Sequence, residues 1–261
     1  VNNRELVIGL EIVIMIYVFL FGLIMGSFYN VVGIRMPKRQ SIVSPGSSCP
    51  KCGHRLKAVE LIPVFSYIFL KGRCRECGER VSPLYPVMEL ITGGLFLMSY
   101  VQFGWSAELL VSLLFVSLLV IITVSDLTSF LILNKVLVFF FVPLLFLRLT
   151  FAAPEPWWLT VAGMLTGFGL LFLVAVVSKG GMGGGDVKLY AVIGTVLGFP
   201  LVVMSIFIAS LIGALVGVTG MLFFGKKRKS PIPFGPSIAV GTLITYFYGA
   251  QIWQWYSGLF M

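Results

Sequence analysis

Charge is what this 261-residue chain has least of. Asp, Glu, Lys and Arg together make up 11% of its residues, against about 25% in an average soluble domain. With 58% hydrophobic residues and a mean hydropathy of +1.02, the composition excludes an ordinary water-soluble fold and puts the chain in lipid. Histidine is nearly absent: His54 is the single one. Ser-His, Cys-His and HExxH hydrolases all need an imidazole at the reacting centre, and His54 follows two residues after Cys52, inside a cysteine cluster. That position argues against histidine-based catalysis. No GxxxxGK[ST] loop and no dinucleotide-type glycine fingerprint is present. Near the start there is no short apolar core followed by an A-x-A-like site, so the first apolar stretch reads as a retained anchor rather than a removed signal.

What the chain does have is long apolar runs. A span needs about 20 mainly apolar residues, and runs of that kind predict transmembrane helices near 7–28, 84–103, 108–125, 130–150, 157–177, 188–204, 205–224 and 235–256. Phe199 and Pro200 mark a tight turn between the sixth and seventh. The fold class is therefore an all-α polytopic membrane protein of about eight spans. The exception to its short loops is 33–83, rich in Gly, Pro and Cys, which holds ten of the nineteen Lys and Arg residues. Basic residues mark loops kept on the cytoplasmic side. Placing 33–83 inside puts Lys135, Lys179, Lys188 and the Lys226–Lys229 run inside too, with only Arg4 and Arg148 toward the exterior. The net charge of +9 thus reads as topology, with membrane lipid and not nucleic acid as the partner. The domains are a first transmembrane helix (1–32), a cytoplasmic insert (33–83) and a helical bundle (84–261).

All four cysteines lie in that insert, as Cys49-Pro50-Lys51-Cys52-Gly53 and Cys74-Arg75-Glu76-Cys77-Gly78. Thiolates two residues apart can grip one ion while the following Gly permits a tight turn. Four thiolates suit Zn²⁺ and leave no open coordination position, so the expected ion is structural. Reduced, unliganded thiols or a redox pair are the alternatives. His54 could replace a thiolate, but a solvated ring covering the knuckle is the favoured reading.

Of the ten acidic residues only two are aspartates, Asp126 and Asp186. Asp126 ends the third run, where it could be a helix cap, a stop signal or a snorkelling carboxylate. Asp186 closes Gly180-Gly181-Met182-Gly183-Gly184-Gly185 before a helix expected to begin Val187-Lys188-Leu189, and by itself reads as a cap on that helix. As a pair they can do more. Two carboxylates brought together share one proton, because like charges a few ångströms apart cannot both ionise. One member then acts as base and the other as acid, with no need of metal or histidine.

At Gly183-x-Gly185-Asp186 the chain resembles the GxGD intramembrane aspartic proteases, and further segments narrow the resemblance to bacterial type IV prepilin peptidases. Those segments are Gly26-Ser27-Phe28-Tyr29-Asn30-Val31-Val32, the cysteine pairs, Ser82-Pro83-Leu84-Tyr85-Pro86-Val87-Met88-Glu89, Asp126, Gly181 to Lys188, and Pro233-Phe234-Gly235-Pro236. The resemblance covers nearly the whole chain. It implies that Asp126 and Asp186 are a catalytic dyad cutting a short basic leader, after Gly, from type IV pilin or pseudopilin precursors at the cytoplasmic face of a bacterial membrane. It also implies methylation of the new N-terminus from S-adenosylmethionine, associated with the region of Gly26–Val32 and the insert. Asn30 and Glu89 are candidate methyl-donor residues by this analogy, and equally interhelical hydrogen-bond partners. Gly22 and Gly26, four apart in a span, read as close helix packing.

One departure stands out. Relatives place Ile-Pro several residues after the first aspartate, where this chain has Ile132-Leu133, and the missing ring leaves the local loop shape open. Pro233-Phe234-Gly235-Pro236 reads either as a span-initiating turn or as a segment holding substrate backbone near the dyad. The rival function is an ion- or proton-coupled transporter using the two aspartates. It leaves the cysteine insert unexplained and predicts a span repeat that the sequence does not show.

Overall fold

The computed structural model describes residues 3–152, 154, 156–179, 181–224 and 232–258. Gly180, the Lys226–Lys229 run and the side chain of Arg4, all used in the sequence reading, lie outside the described residues. The elements are α1 (Asn3–Arg35), α2 (Phe65–Phe69), α3 (Leu84–Phe103), α4 (Ala107–Ser129), α5 (Asn134–Thr150), α6 (Trp158–Val177), α7 (Gly184–Leu197), α8 (Leu201–Phe224) and α9 (Gly235–Gly258), with a short 3₁₀ turn at Ala58–Leu61. Among the described residues there is no strand, only the isolated bridges Ser48–Arg55 and Arg73–Arg80 within the insert. The all-helical expectation holds.

Five of the helices are long and apolar enough to cross a membrane: Val7–Arg35, Leu84–Phe103, Ala107–Ser129, Trp158–Val177 and Leu201–Phe223. Helices α5 and α7, at 17 and 14 residues, are shorter; α7 rises only about 21 Å at 1.5 Å per residue, against about 30 Å of hydrocarbon. Helix α9 is 24 residues long but is not among the five. The expected sixth and seventh spans need new limits. Helix α7 stops at Leu197, Gly198 turns the chain with φ +69, and α8 begins at Leu201. Phe199 and Pro200 do mark the turn, so the 188–204 limit ran past the break that the sequence itself signalled.

The chain divides into two compact units, Val1–Val124 and Ser125–Met261, and α4 runs through the division. In the first unit, α1 packs on α3 along small residues. A Cβ on Gly22 would lie 2.8 Å from the Gly93 Cα, and one on Gly26 would lie 2.8 Å from the Glu89 Cα. Their four-residue spacing is a packing device, as expected, since apolar tails offer no driving force between spans and contact must come from close approach. A hydrogen bond of 2.6 Å between the Tyr29 hydroxyl and Ser117 Oγ ties α1 to α4.

In the second unit, α7 is buried on nearly every side. Leu189, Tyr190 and Ile193 are all but fully buried, as expected of a helix apolar all round. Its contact with α6 is made by bare backbone. A Cβ on Gly163 would sit 2.3 Å from the Gly194 carbonyl oxygen, and one on Gly194 would sit 2.1 Å from the Gly163 carbonyl oxygen. Helices α8 and α9 meet at Ala209 and Gly241, with Ser205 and Thr242 hydroxyls 3.0 Å apart beside them.

Candidate functional site

The insert builds two knuckles on one plan. In the first, the Cys49 N–H donates to the His54 carbonyl at 2.9 Å and the Gly53 N–H to the Cys49 carbonyl at 3.0 Å. In the second, the Cys74 N–H donates to the Glu79 carbonyl at 2.8 Å and the Gly78 N–H to the Cys74 carbonyl at 3.0 Å. Gly53 and Gly78 take φ of +72 and +69, where a side chain would be strained. The result brings the four sulfur atoms within 4.8 Å of one another, with Cys49 to Cys77 at 3.8 Å and Cys52 to Cys74 at 3.9 Å. These are too long for disulfides, whose sulfurs lie about 2.05 Å apart, and the cysteines are free. Backbone N–H groups of Cys52 and Lys51 draw the Cys49 thiol down, while Cys52, against the pull of the His54 backbone, is pushed up by burial and by the neighbouring sulfurs. His54 does not replace a thiolate, since the cluster consists of the four sulfurs, and its ring is 16% exposed rather than solvated. Its Nε2 lies 3.1 Å from Glu60 Oε2.

The aspartates are placed by three element ends. Asp126 sits in the last turn of α4 and is 7% exposed, which removes the snorkelling reading. Its Oδ2 accepts the backbone N–H of Gly235, the first residue of α9, at 2.7 Å. The first N–H groups of a helix have no partner within it, so Asp126 is the acceptor at the start of α9. A Cβ on Gly235 would lie 2.8 Å from that oxygen. The Pro233–Pro236 segment therefore does begin a helix, and it also holds a carboxylate. No signal in the sequence paired Gly235 with Asp126, because 109 residues separate them.

After Asp126, Ser125 Oγ donates to the Leu131 carbonyl at 2.5 Å and the chain turns into α5 with Leu133 as N-cap at φ −82, ψ 116. That φ is close to the value a proline ring imposes, about −65 ± 15°. The loop keeps a proline-compatible shape without the proline.

Asp186 corrects a sequence expectation. Helix α7 starts at Gly184, not Val187, and its N-cap is Gly183 with no side-chain capping bond. Asp186 lies in the first turn, three residues after the N-cap rather than at it, and its carboxylate reaches back to the Gly183 backbone N–H. The two glycines ahead of it make room. A Cβ on Gly183 would lie 2.9 Å from Asp186 Oδ2, and one on Gly185 would lie 2.8 Å from the Ile132 Cβ. Lys188 Nζ donates to Asn134 Oδ1 at 3.2 Å across the same junction. The start of α7 is thus seated against the segment that follows Asp126.

The first unit also holds a cavity of about 680 Å³ between the end of α1, the insert and the start of α3. Glu89 and Glu60 line it, at 7% and 9% exposure. Glu89 Oε2 accepts the Val64 N–H at 2.7 Å. Glu60 Oε2 accepts the Lys57 N–H at 2.8 Å and contacts His54, and these two partners, Lys57 first, hold its carboxyl below the usual range. Its Oε1 is buried without a partner among the described residues. Asn30 does not line the cavity. Its Nδ2 donates to the Tyr85 carbonyl at 3.1 Å, tying α1 to α3. Glu89 stands in a recognisable motif of the sequence, Ser82 to Glu89, whereas Glu60 stands in none.

Residues 20–103 match the family described as Bacterial Peptidase A24 N-terminal domain, and residues 113–218 match the Type IV leader peptidase family. A Bacillus subtilis (strain 168) protein named prepilin leader peptidase/N-methyltransferase is 43% identical over 91% of this chain and 96% of its own length. Proteins of the same name from Aeromonas salmonicida (strain A449) and Pseudomonas aeruginosa are each 33% identical, covering 97% and 91% of this chain and the same shares of their own. No solved structure matches. The chain belongs to the type IV leader peptidase family.

Proposed function

We propose that this chain removes the short basic leader from type IV prepilin or pseudopilin precursors, with Asp126 and Asp186 as the catalytic pair. The observation that carries the reading is the seating of the α7 start against the segment after Asp126, with Gly235 fixing the Asp126 carboxylate from a third side. In this mechanism the two carboxylates hold one proton between them. The ionised member takes a proton from water as the water oxygen attacks the scissile carbonyl carbon, while the protonated member donates to the carbonyl oxygen. Collapse of the tetrahedral intermediate breaks the C–N bond, and a proton passes to the leaving amine. The Gly235 N–H occupies one Asp126 oxygen and leaves the other for water.

The cysteine cluster is read as a structural zinc site. Zn–S bonds of about 2.3 Å place tetrahedral sulfurs about 3.8 Å apart, and the Cys49–Cys77 and Cys52–Cys74 separations are 3.8 and 3.9 Å. With all four positions taken by thiolates, the ion's part is to hold together the 33–83 insert, between the first helix (1–32) and the bundle (84–261). Positive charge in that insert supports a cytoplasmic location for it and for the aspartates in a bacterial inner membrane. After cleavage, S-adenosylmethionine supplies the methyl group for the new N-terminal amine. Glu89 is favoured over Asn30 on the donor side, since Glu89 lines the cavity and Asn30 does not; the Asn30 Nδ2 is on the Tyr85 carbonyl and its Oδ1 is buried without a partner among the described residues.

Co-expression with a type IV pilin precursor tests the reading, by mass spectrometry of the pilin N-terminus for the unmodified chain and for Asp186→Asn. Leader loss with the former alone is the expected result, and an added methyl carries the second activity. A precursor left intact with every cognate pilin would turn the reading to ion- or proton-coupled transport.

A further inference from the structure

Helix α2 (Phe65–Phe69) is tied back to a membrane-depth position. Val64, the residue before it, is buried, and its N–H donates to Glu89 Oε2 at 2.7 Å. Glu89 lies five residues into α3, a helix long and apolar enough to cross a membrane, and so about 7.5 Å along the axis from Leu84 at 1.5 Å per residue. The headgroup layer on each side of the hydrocarbon is about 5–7 Å thick. Val64 also takes φ +64, a conformation that a β-branched residue adopts only when its surroundings impose it. The tie to Glu89 thus holds α2 against the second turn of α3, at the level of the headgroups.

What α2 shows there is apolar. Phe65, Ile68 and Phe69 stand at i, i+3 and i+4, on one face of the helix, and all three are exposed, Phe69 to 81%. Leu61 and Ile62, just before the helix, are exposed as well. Immediately after it the chain turns at Lys71 and Gly72, both at positive φ. Lys71, Arg73 and Arg80 then line one shallow recess, and no acidic residue lines it with them. The Arg73–Arg80 bridge keeps the two arginines side by side, while Glu79 is paired with Lys51. An apolar face edged by cations is the composition of a segment lying in the bilayer interface, with its apolar side chains at the acyl boundary and its cations at the lipid phosphates. A precursor with a basic leader would be repelled by the same three cations, which favours lipid over substrate as the partner.

We propose that α2 is an interfacial anchor: Phe65, Ile68 and Phe69 enter the acyl boundary of the leaflet beside the insert, and Lys71, Arg73 and Arg80 bind the phosphates of anionic phospholipid. The insert is then held to the bilayer at a point of its own, besides the ends of α1 and α3.

The test places the full-length, zinc-loaded protein in nanodiscs carrying phosphatidylglycerol or phosphatidylcholine with a diazirine near the glycerol end of one acyl chain, and maps the photo-crosslinks by mass spectrometry. The expected result is label on residues 61–69, about fivefold more from phosphatidylglycerol, the worth of one basic residue at an anionic surface. Phe65→Ser with Phe69→Ser should lose that label, and Lys71→Gln, Arg73→Gln and Arg80→Gln together should lose the preference, each at unchanged zinc content. Label on α1 and α3 but none on residues 61–69 overturns the anchor. Equal label from the two lipids in the unmodified chain overturns the phosphate contacts. Label that vanishes when a type IV pilin precursor is added gives the face to the substrate and overturns the proposal. Should a variant lose zinc, the map and the lipid preference of the unmodified chain decide.

Discussion

The cysteine cluster and the seats of the two aspartates proposed as a catalytic pair are built at opposite sequence ranges. Each cysteine knuckle closes within a few residues, through one N–H to its first carbonyl and one glycine at positive φ, and Cys74 lies 22 positions after Cys52. The aspartates lie in different helices, and the contacts that seat them come from Gly235, Ile132 and Asn134. A site written locally can survive errors elsewhere. A site written by helix packing depends on every joint that positions those helices.

The sharpest way to break this contrast is at the carboxylates. Asp126→Asn or Asp186→Asn alone should lower leader cleavage by about 10²–10⁴-fold, the usual contribution of a positioned acid or base, with the protein still in the membrane fraction and its zinc intact by metal analysis. Zinc release from either variant would show that the two sites are not independent. Next in size is Gly235→Ala, whose Cβ falls 2.8 Å from Asp126 Oδ2. Losing a hydrogen bond to a charged group is worth about 1.5–3 kcal/mol, so cleavage should fall by about 10–150-fold, measured on a pilin time course. Gly163→Ala puts a methyl 2.3 Å from the Gly194 carbonyl oxygen. It should cost about 1–3 kcal/mol, typical of overpacking, read as a lower Tm in detergent together with slower cleavage.

The opposite site gives the smaller effects on cleavage. Cys49→Ser should release zinc, measured by atomic absorption, and reduce cleavage less than either aspartate change. His54→Ala should leave the zinc content as it was, because the imidazole faces Glu60 rather than the metal.

The same contrast accounts for what could be read in advance. Apolar runs show a lipid-embedded helical protein because hydropathy is additive along the chain, and Cys49, Cys52, Cys74 and Cys77 are legible because ligand spacing is local. The helix before Lys188 was placed three residues late, since a glycine run lacks the side chains that mark an N-terminus. Span ends near Phe199 drifted because apolar runs continue through the turn. The pairing of Gly235 with Asp126 and the place of Glu60 in a cavity wall were invisible for one reason: each depends on a partner or a space that only the folded chain supplies. Neither residue type nor spacing could announce them.

The α6–α7 contact has one more consequence. Where Gly163 and Gly194 meet there is no side chain to bend or change rotamer, so the joint has no slack, and an error there is passed along α7 as displacement. Asp186 lies eight residues before Gly194, about 12 Å along the axis. In a survey of every single substitution, the least forgiving positions for proteolysis would then include two residues with no functional group at all, and tolerance would be widest on the lipid-facing sides of the same helices.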